Sequence, residues 1–382
     1  MEVERRIRLT EMSSLERFMR ALHLEEPDTV PVTFSYVDPF AELNERKKQL
    51  GYGRFHDLVR NDTDIILPKG PKAPGIFYSS TDQAKSETKT QERGRHYYHC
   101  DTLSTPLGTL QARRKSEKDI STSWTYEGYI KSEEDVEKIL SIPYDPLEVD
   151  ASPLKDAQSM LKGRGIVATG IVDPVCSCAG LFTLRDFALT ASQQGRVMRK
   201  LLRFFATRTE EYTRQLSEQT TEVFYRIVGP EYVTPPILPP KLFHEYVVPY
   251  DRRIVRIIKD TDNIAAIHCH GRIGAVLDGM RMIDPQALEP IEPPPQGNVT
   301  LAELKERMGD KTCLMGYIQY NDLEFDRPEN IRAKVCSAIS QAGAGGGYVL
   351  FPTAEPIARI SGRLLANQRM FVSAGREFGR YV

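Results

Sequence analysis

The sequence predicts an α/β fold: a (β/α)8 TIM barrel with an N-terminal extension and an inserted antiparallel β segment. Three observations lead there. From about residue 133 onward, short apolar runs alternate with helical stretches, giving seven or eight strand candidates in all. Such alternation implies parallel strands joined by right-handed crossovers, and this many repeats favours closure over an open sheet. Nothing in the 382 residues reads as a linker, so one barrel domain over 1–382 accounts for the length. The pattern breaks once, at about 75–132, where polar, β-favouring segments are separated by turn residues.

Each element has its own signal. Ser13-Ser14-Leu15-Glu16 offers an N-cap, and Phe18, Ala21 and Leu22 form one apolar stripe, predicting a first helix stopped by Pro27-Asp28. Val30 to Phe34 resembles a first strand, residues 44–60 a polar helix, and Asp64 to Pro68 a short strand. Within the β excursion, Tyr97 to Cys100, Thr109 to Ala112 and Ser123 to Tyr126 read as strands. A helix is then predicted to open at Ser132-Glu133-Glu134-Asp135, and others near 151–162, 181–191, 193–218, 241–259, 274–281, 300–308, 328–342 and 361–378. Between them come strands at Gly165 to Gly170, Val223 to Val228, Ile264 to His268, Ala287 to Ile291, Thr312 to Tyr317 and Gly347 to Phe351. The run Ala342-Gly343-Ala344-Gly345-Gly346-Gly347 follows a helix and opens a strand. It reads as a helix stop and tight turn, because a phosphate loop has the opposite order.

Composition excludes several classes of function. The formal net charge is -1, with 27% charged residues, so no field draws nucleic acid or an anionic membrane. No apolar run approaches the roughly 20 residues of a membrane span, and the first residues lack the apolar core of a signal peptide. Six scattered cysteines do not make a disulfide framework in a chain of this size. A cytoplasmic protein with reduced thiols is the economical expectation.

Barrel active sites lie at the carboxyl ends of the strands. There the sequence places His268 and His270, which strand alternation puts on one side of the sheet, followed at once by Gly271. Glu292 stands 22 residues after His270, at the end of the next strand. Two imidazoles and a carboxylate on adjacent strand ends suit Zn2+ with one open position; the alternative is a metal-free histidine pair in a substrate pocket. Glu355 ends the last strand as a further ligand, a partner of a histidine, a substrate contact or a solvated acid. With Glu292 it is the candidate catalytic carboxylate. Gln319 and Asn321 are placed to hydrogen-bond substrate or to cap a turn. Glu231, Tyr232, Asp173, Tyr36 and Asp38 follow other strands and are candidate pocket residues. Cys176-Ser177-Cys178 reads as small residues beside a tight loop rather than a metal pair. There is no G-x-S-x-G elbow, dinucleotide fingerprint or Walker loop.

These segments resemble the uroporphyrinogen decarboxylase superfamily over most of the chain. The resemblance is carried by Val228-Gly229-Pro230-Glu231-Tyr232, Ile267-His268-Cys269-His270-Gly271, Glu289-Pro290-Ile291-Glu292-Pro293-Pro294, Met315-Gly316-Tyr317-Ile318-Gln319 and Gly346-Gly347-Tyr348-Val349-Leu350. It implies a (β/α)8 barrel with its pocket at the carboxyl ends of the strands. The true decarboxylases carry an arginine-rich N-terminal loop and a late histidine. Here residues 33–39 hold no arginine, and the last strand ends in Thr353-Ala354-Glu355.

The other branch implied by the resemblance transfers methyl groups to or from corrinoid proteins through a His-x-Cys zinc motif. His268 matches its first ligand, His270 occupies the cysteine position, Glu292 matches the acid, and the late cysteine falls at Thr353 or Ala354. A His/His/Glu zinc is a harder Lewis acid, suited to an ether oxygen. The expected activity is therefore demethylation of a small methyl donor, such as a methoxylated aromatic. The methyl would pass to cobalamin on a separate corrinoid-binding protein, since the chain has no Asp-x-His-x-x-Gly motif. A decarboxylase and a non-catalytic small-molecule-binding barrel are the competing expectations, and a homodimer stays open.

Overall fold

The computed structural model describes residues 12–381 apart from 35, 74, 121 and 357. The N-terminal stretch screened for a signal peptide lies outside the described residues. Eleven strands fall into two sheets: β1 Ile65–Pro68; β2 Lys85–Arg93, β3 His96–Thr105, β4 Gly108–Glu117 and β5 Ser123–Glu127; then β6 Gly165–Val172, β7 Val223–Val228, β8 Ile264–His268, β9 Ala287–Ile291, β10 Cys313–Ile318 and β11 Tyr348–Pro352. The larger sheet runs β1-β6-β7-β8-β9-β10-β11, with every neighbouring pair parallel.

The eighth place is taken by Pro31-Val32-Thr33, which forms only an isolated bridge. Thr33 N–H donates to Leu350 O and Leu350 N–H to Pro31 O, at 3.1 and 2.9 Å. On the other side Asp64 N–H donates to Val32 O at 2.9 Å, and the Asp64 carboxylate accepts from Val32 N–H at 3.0 Å. The predicted strand at Val30–Phe34 is thus a short stave, because Pro31 has no N–H for a ladder.

The interior is a packed column. Inward positions Ile66, Ile166, Phe224, Ile264, Ala287, Cys313 and Val349 meet Phe18, Ala21 and Leu22 of the helix Ser14–Leu22, which plugs the amino-terminal end. That helix starts at N-cap Ser13, whose hydroxyl accepts from Glu16 N–H, as the sequence predicts. Arg17 fastens it to the wall through Asp28 and Asp64, at 2.7 and 2.6 Å. The opposite end stays open, and the polar side chains gather there.

The excursion is a four-stranded antiparallel sheet in the order β2-β3-β4-β5. Sequence pattern misses β2, whose nine residues are all exposed and carry no apolar alternation. Two predicted helices are broken. Residues 44–60 split into Glu45–Gln49 and Tyr52–Asp62 at Gly51, which is left-handed at φ +87°. Residues 241–259 split into Pro240–Tyr246 and Val248–Lys259, with Pro249 unable to supply a helical N–H.

Cys176 and Cys178 sit on a short helix, Pro174–Ala179, rather than beside a tight loop. The glycine run turns left-handed at Gly345, Gly346 and Gly347, the stop and turn expected between helix Pro328–Ala342 and β11.

Candidate active site

Four side chains meet above the apolar column. Strand alternation sends Arg226 of β7, His268 of β8 and Glu289 of β9 into the barrel, and Tyr36 arrives from the loop after the eighth stave. Glu289 is fully buried; its two oxygens take Arg226 Nε at 2.8 Å, the Tyr36 hydroxyl at 3.0 Å and His268 Nδ1 at 3.0 Å. Arg226 Nη2 lies 2.7 and 3.1 Å from the two ring nitrogens of His268. The consistent assignment has Nδ1–H donating to Glu289, so that Nε2 accepts from Arg226. The guanidinium also lies 4.0 Å over the Tyr36 ring.

Burial alone would raise the Glu289 pKa. The interactions with His268 and Arg226, and the hydrogen bond of Tyr36, outweigh it and hold the carboxyl at about 2. Burial and the Glu289 charge push the Tyr36 phenol well up. Tyr36 has a left-handed backbone at φ +39°, a strained conformation for a bulky residue that the network holds in place.

A second layer lies nearer solvent. The rings of His268 and His270 meet edge to face at 4.7 Å, and His270 Nδ1 is 3.5 Å from a Glu292 oxygen. The other Glu292 oxygen accepts from Gly271 N–H at 2.7 Å, and Gln319 hydrogen-bonds the same carboxylate. Thr353 donates its hydroxyl to Gln319 and accepts from Tyr320 N–H. Burial pulls the His270 pKa down, but the Glu292 hydrogen bond and charge, with Glu231 and Glu289, raise it overall. Glu292 is correspondingly lowered against its own burial. His270 is 41% exposed, so it can hold a proton and present it at the mouth.

The other candidates are distributed differently. Glu355 lines a separate cavity of about 310 Å3 with Tyr36, Lys47, Tyr52 and His56, and the surrounding protein raises its carboxyl pKa. Glu231 accepts from Gly229 N–H at 3.3 Å, and Tyr232 packs edge-on against Phe187. Asn321 lies in the short helix Tyr320–Phe325. Asp173 is not at the mouth: it is fully buried and caps helix Pro174–Ala179, accepting from Cys176 N–H at 2.5 Å. Gly229 must be glycine, since a Cβ there would stand 2.1 Å from the Asp173 carboxylate.

Asp173 shares its buried surroundings with Asp251, neither of whose oxygens has a hydrogen-bond partner. Burial raises both carboxyls, Asp173 further through the Asp251 charge. A folded pKa above the unfolded value gives stability that is full below the unfolded pKa and is lost as pH rises through the folded one. Asp251→Asn is therefore expected to stabilise the protein by about 1–3 kcal/mol at pH 8 and to change little at pH 4. Thermal melts at the two pH values check this; equal shifts would show that Asp251 does not titrate with folding.

These residues do not fit the zinc ion expected from His268, His270 and Glu292. Both His268 nitrogens are engaged, one by Glu289 and one by a guanidinium already carrying positive charge where a metal would sit. Among the described residues, no three His, Cys, Asp or Glu side chains are grouped to hold a metal. Protein purified without chelator is expected to carry far less than one equivalent of zinc by elemental analysis. Stoichiometric zinc, lost in His268→Ala, would mean that Arg226 gives way to it.

Sequence reading overlooked Arg226 and Glu289. The signal was an ionisable residue at an inward position of an otherwise apolar strand, in Val223-Phe224-Tyr225-Arg226-Ile227-Val228 and Ala287-Leu288-Glu289-Pro290-Ile291. Charges so placed are almost always paired.

The family model described as uroporphyrinogen decarboxylase (URO-D) matches residues 128–360, which contain Arg226, His268, His270, Glu289 and Glu292. A methyltransferase from Methanosarcina mazei superposes with a TM-score of 0.59 at 16% identity, covering 96% of this chain and 99% of its own. D-psicose 3-epimerase from Clostridium cellulolyticum H10, solved with D-tagatose, gives a TM-score of 0.35 at 11% identity, covering 60% of this chain and 83% of its own. No curated protein sequence matches the chain.

Proposed function

Because the chain belongs to the uroporphyrinogen decarboxylase family, we propose that it is a methyltransferase of that family, removing a methyl group from a small methylated substrate. The acceptor is a corrinoid carried by a separate protein that docks over the barrel mouth. The observation that carries this reading is the His270–Glu292 pair, a proton donor presented to solvent above a half-buried arginine. The likeness in fold to a methyltransferase supports it.

In demethylation of a methoxy compound the carbon–oxygen bond breaks and its electron pair stays on oxygen. The corrinoid supplies the nucleophile that takes the methyl. This chain has to position the ether and steady the oxygen as negative charge develops. His270, kept protonated by Glu292, delivers the proton to that oxygen, and the fixed positive charge of Arg226 lies just below. Glu289, His268 and Tyr36 hold the guanidinium still, so no reorganisation is needed at the moment of bond breaking.

Decarboxylation of a polycarboxylate fits less well. Glu292 and Glu231 stand on the rim that holds His270, where further carboxylates would be repelled. The test is incubation of the whole protein with a reduced corrinoid protein and a panel of methoxy compounds. The expected result is the spectral change from reduced to methylated corrinoid. An inert corrinoid with carbon dioxide released from an acid would reject methyl transfer in favour of a lyase.

A further inference from the structure

A cavity of about 740 Å3 at the strand ends lies over β1, β6 and β7, and neither His270 nor Glu292 lines it. It falls within the size range of small-molecule pockets. Besides the hydroxyls of Tyr36 and Thr169, its lining holds three hydrogen-bond donors, Lys69, Arg226 and Tyr212, and no aspartate or glutamate. Each donor has capacity to spare. Among the described residues the Lys69 ammonium forms no ion pair, and its backbone N–H donates to Ala168 O at 2.8 Å. Arg226 spends Nε and Nη2 on Glu289 and His268, which leaves Nη1. Tyr212 is 8% exposed and its hydroxyl has no hydrogen-bond partner, while its ring stacks on Tyr78 at 4.5 Å.

The Tyr212 hydroxyl opens onto the cavity with no hydrogen-bond partner among the described residues, and so can donate to an anionic ligand there. The rest of the wall is flat and small. Ala168 offers one methyl, and beyond Gly170 there is no atom within 4 Å of where a Cβ would point. The Tyr36 ring closes the side facing the buried network.

We propose that this cavity seats a carboxylate on the methyl donor, so that the substrate class is small, flat organic acids bearing a methyl group. The carboxylate lies between Lys69 Nζ and the Tyr212 hydroxyl, and the flat body rests over Ala168 and Gly170, with Arg226 left to the methylated end. This assignment rests on the methyl-transfer reading for its chemistry, though not for its binding. The charge pattern sets the orientation: donors alone on the β1, β6 and β7 side, carboxylates Glu292 and Glu231 with His270 on the other. An acid therefore enters with its carboxylate away from the proton donor, and its methylated end faces the mouth.

The experiment is calorimetric titration of the full-length protein, without corrinoid, using 3,4-dimethoxybenzoate and its uncharged methyl ester. Lys69→Gln and Tyr212→Phe are the variants; the first alters an exposed side chain, and the second keeps the ring that stacks on Tyr78. The acid should bind the unaltered protein about tenfold or more tighter than the ester. Each variant should weaken the acid and leave the ester unchanged. Equal affinity for acid and ester, no binding of the acid, or acid binding indifferent to Lys69→Gln overturns the assignment. Acid binding without methyl transfer keeps the anion site and rejects the proposed activity. Transfer from neutral donors alone, without acid binding, does the reverse.

Discussion

Arg226→Ala is expected to cost about 3–5 kcal/mol of folding stability, because it leaves the Glu289 carboxylate buried without its cation. Glu289 is fully buried; Arg226 balances its charge and His268 adds a hydrogen bond. Denaturant titration measures the loss. A double variant, Arg226→Leu with Glu289→Leu, should regain much of it, since a buried ion pair replaced by apolar side chains is often near neutral. It should remain inactive, which separates the structural role of the pair from its chemical one.

The pH dependence has a definite sign. Glu289 is depressed to about 2 in the folded protein, so its contribution is present above the unfolded carboxylate pKa and disappears as pH falls toward 2. In Arg226→Ala that acid-side loss should shrink. A single replacement as stable as the parent protein would mean that Glu289 is not held as an ion.

The second large effect concerns the proton donor. His270→Ala is expected to lower kcat about 100- to 10,000-fold, the usual range for a general acid, with little change in stability for a side chain 41% exposed. Because the net effect of its carboxylate neighbours raises the His270 pKa, activity should fall on the alkaline side as pH passes through that raised value. Glu292→Gln removes the hydrogen bond and charge that oppose burial. The alkaline limb should then move to lower pH while the folded state survives. A profile unmoved by Glu292→Gln would remove His270 from the proton-transfer role.

Most of the barrel was legible in the sequence because its strands are buried runs and its helices carry a 3.6-residue stripe. The cap at Ser13 and the stop at Gly343 to Gly347 fixed two of the boundaries. The failures have physical causes. The exposed β2 has no buried face to reveal itself, and helix breaks at Gly51 and Val247 depend on tertiary packing.

At the site, strand alternation correctly aimed His268 inward and put Glu292 beside His270. It could not show that Glu289, rather than Glu292, takes His268. Between them β9 ends and the chain leaves the regular ladder, so the count by twos no longer holds. Asp173 was misplaced for a related reason: a residue ending a strand can turn back to cap the next helix.

The eighth stave deserves a mechanical reading. A wall of seven full strands is zipped shut by a bridge at Val32, and one of its fastenings is a carboxylate, Asp64, gripped by Arg17 from the plugging helix. Amide hydrogens along this seam should exchange with deuterium sooner than those of β7 or β8, whose ladders run on both sides. Four residues beyond Val32 stands Tyr36, so any breathing of the seam is transmitted to the hydroxyl that touches Glu289. The weakest join of the cylinder and the floor of its reaction chamber are therefore one continuous piece of chain.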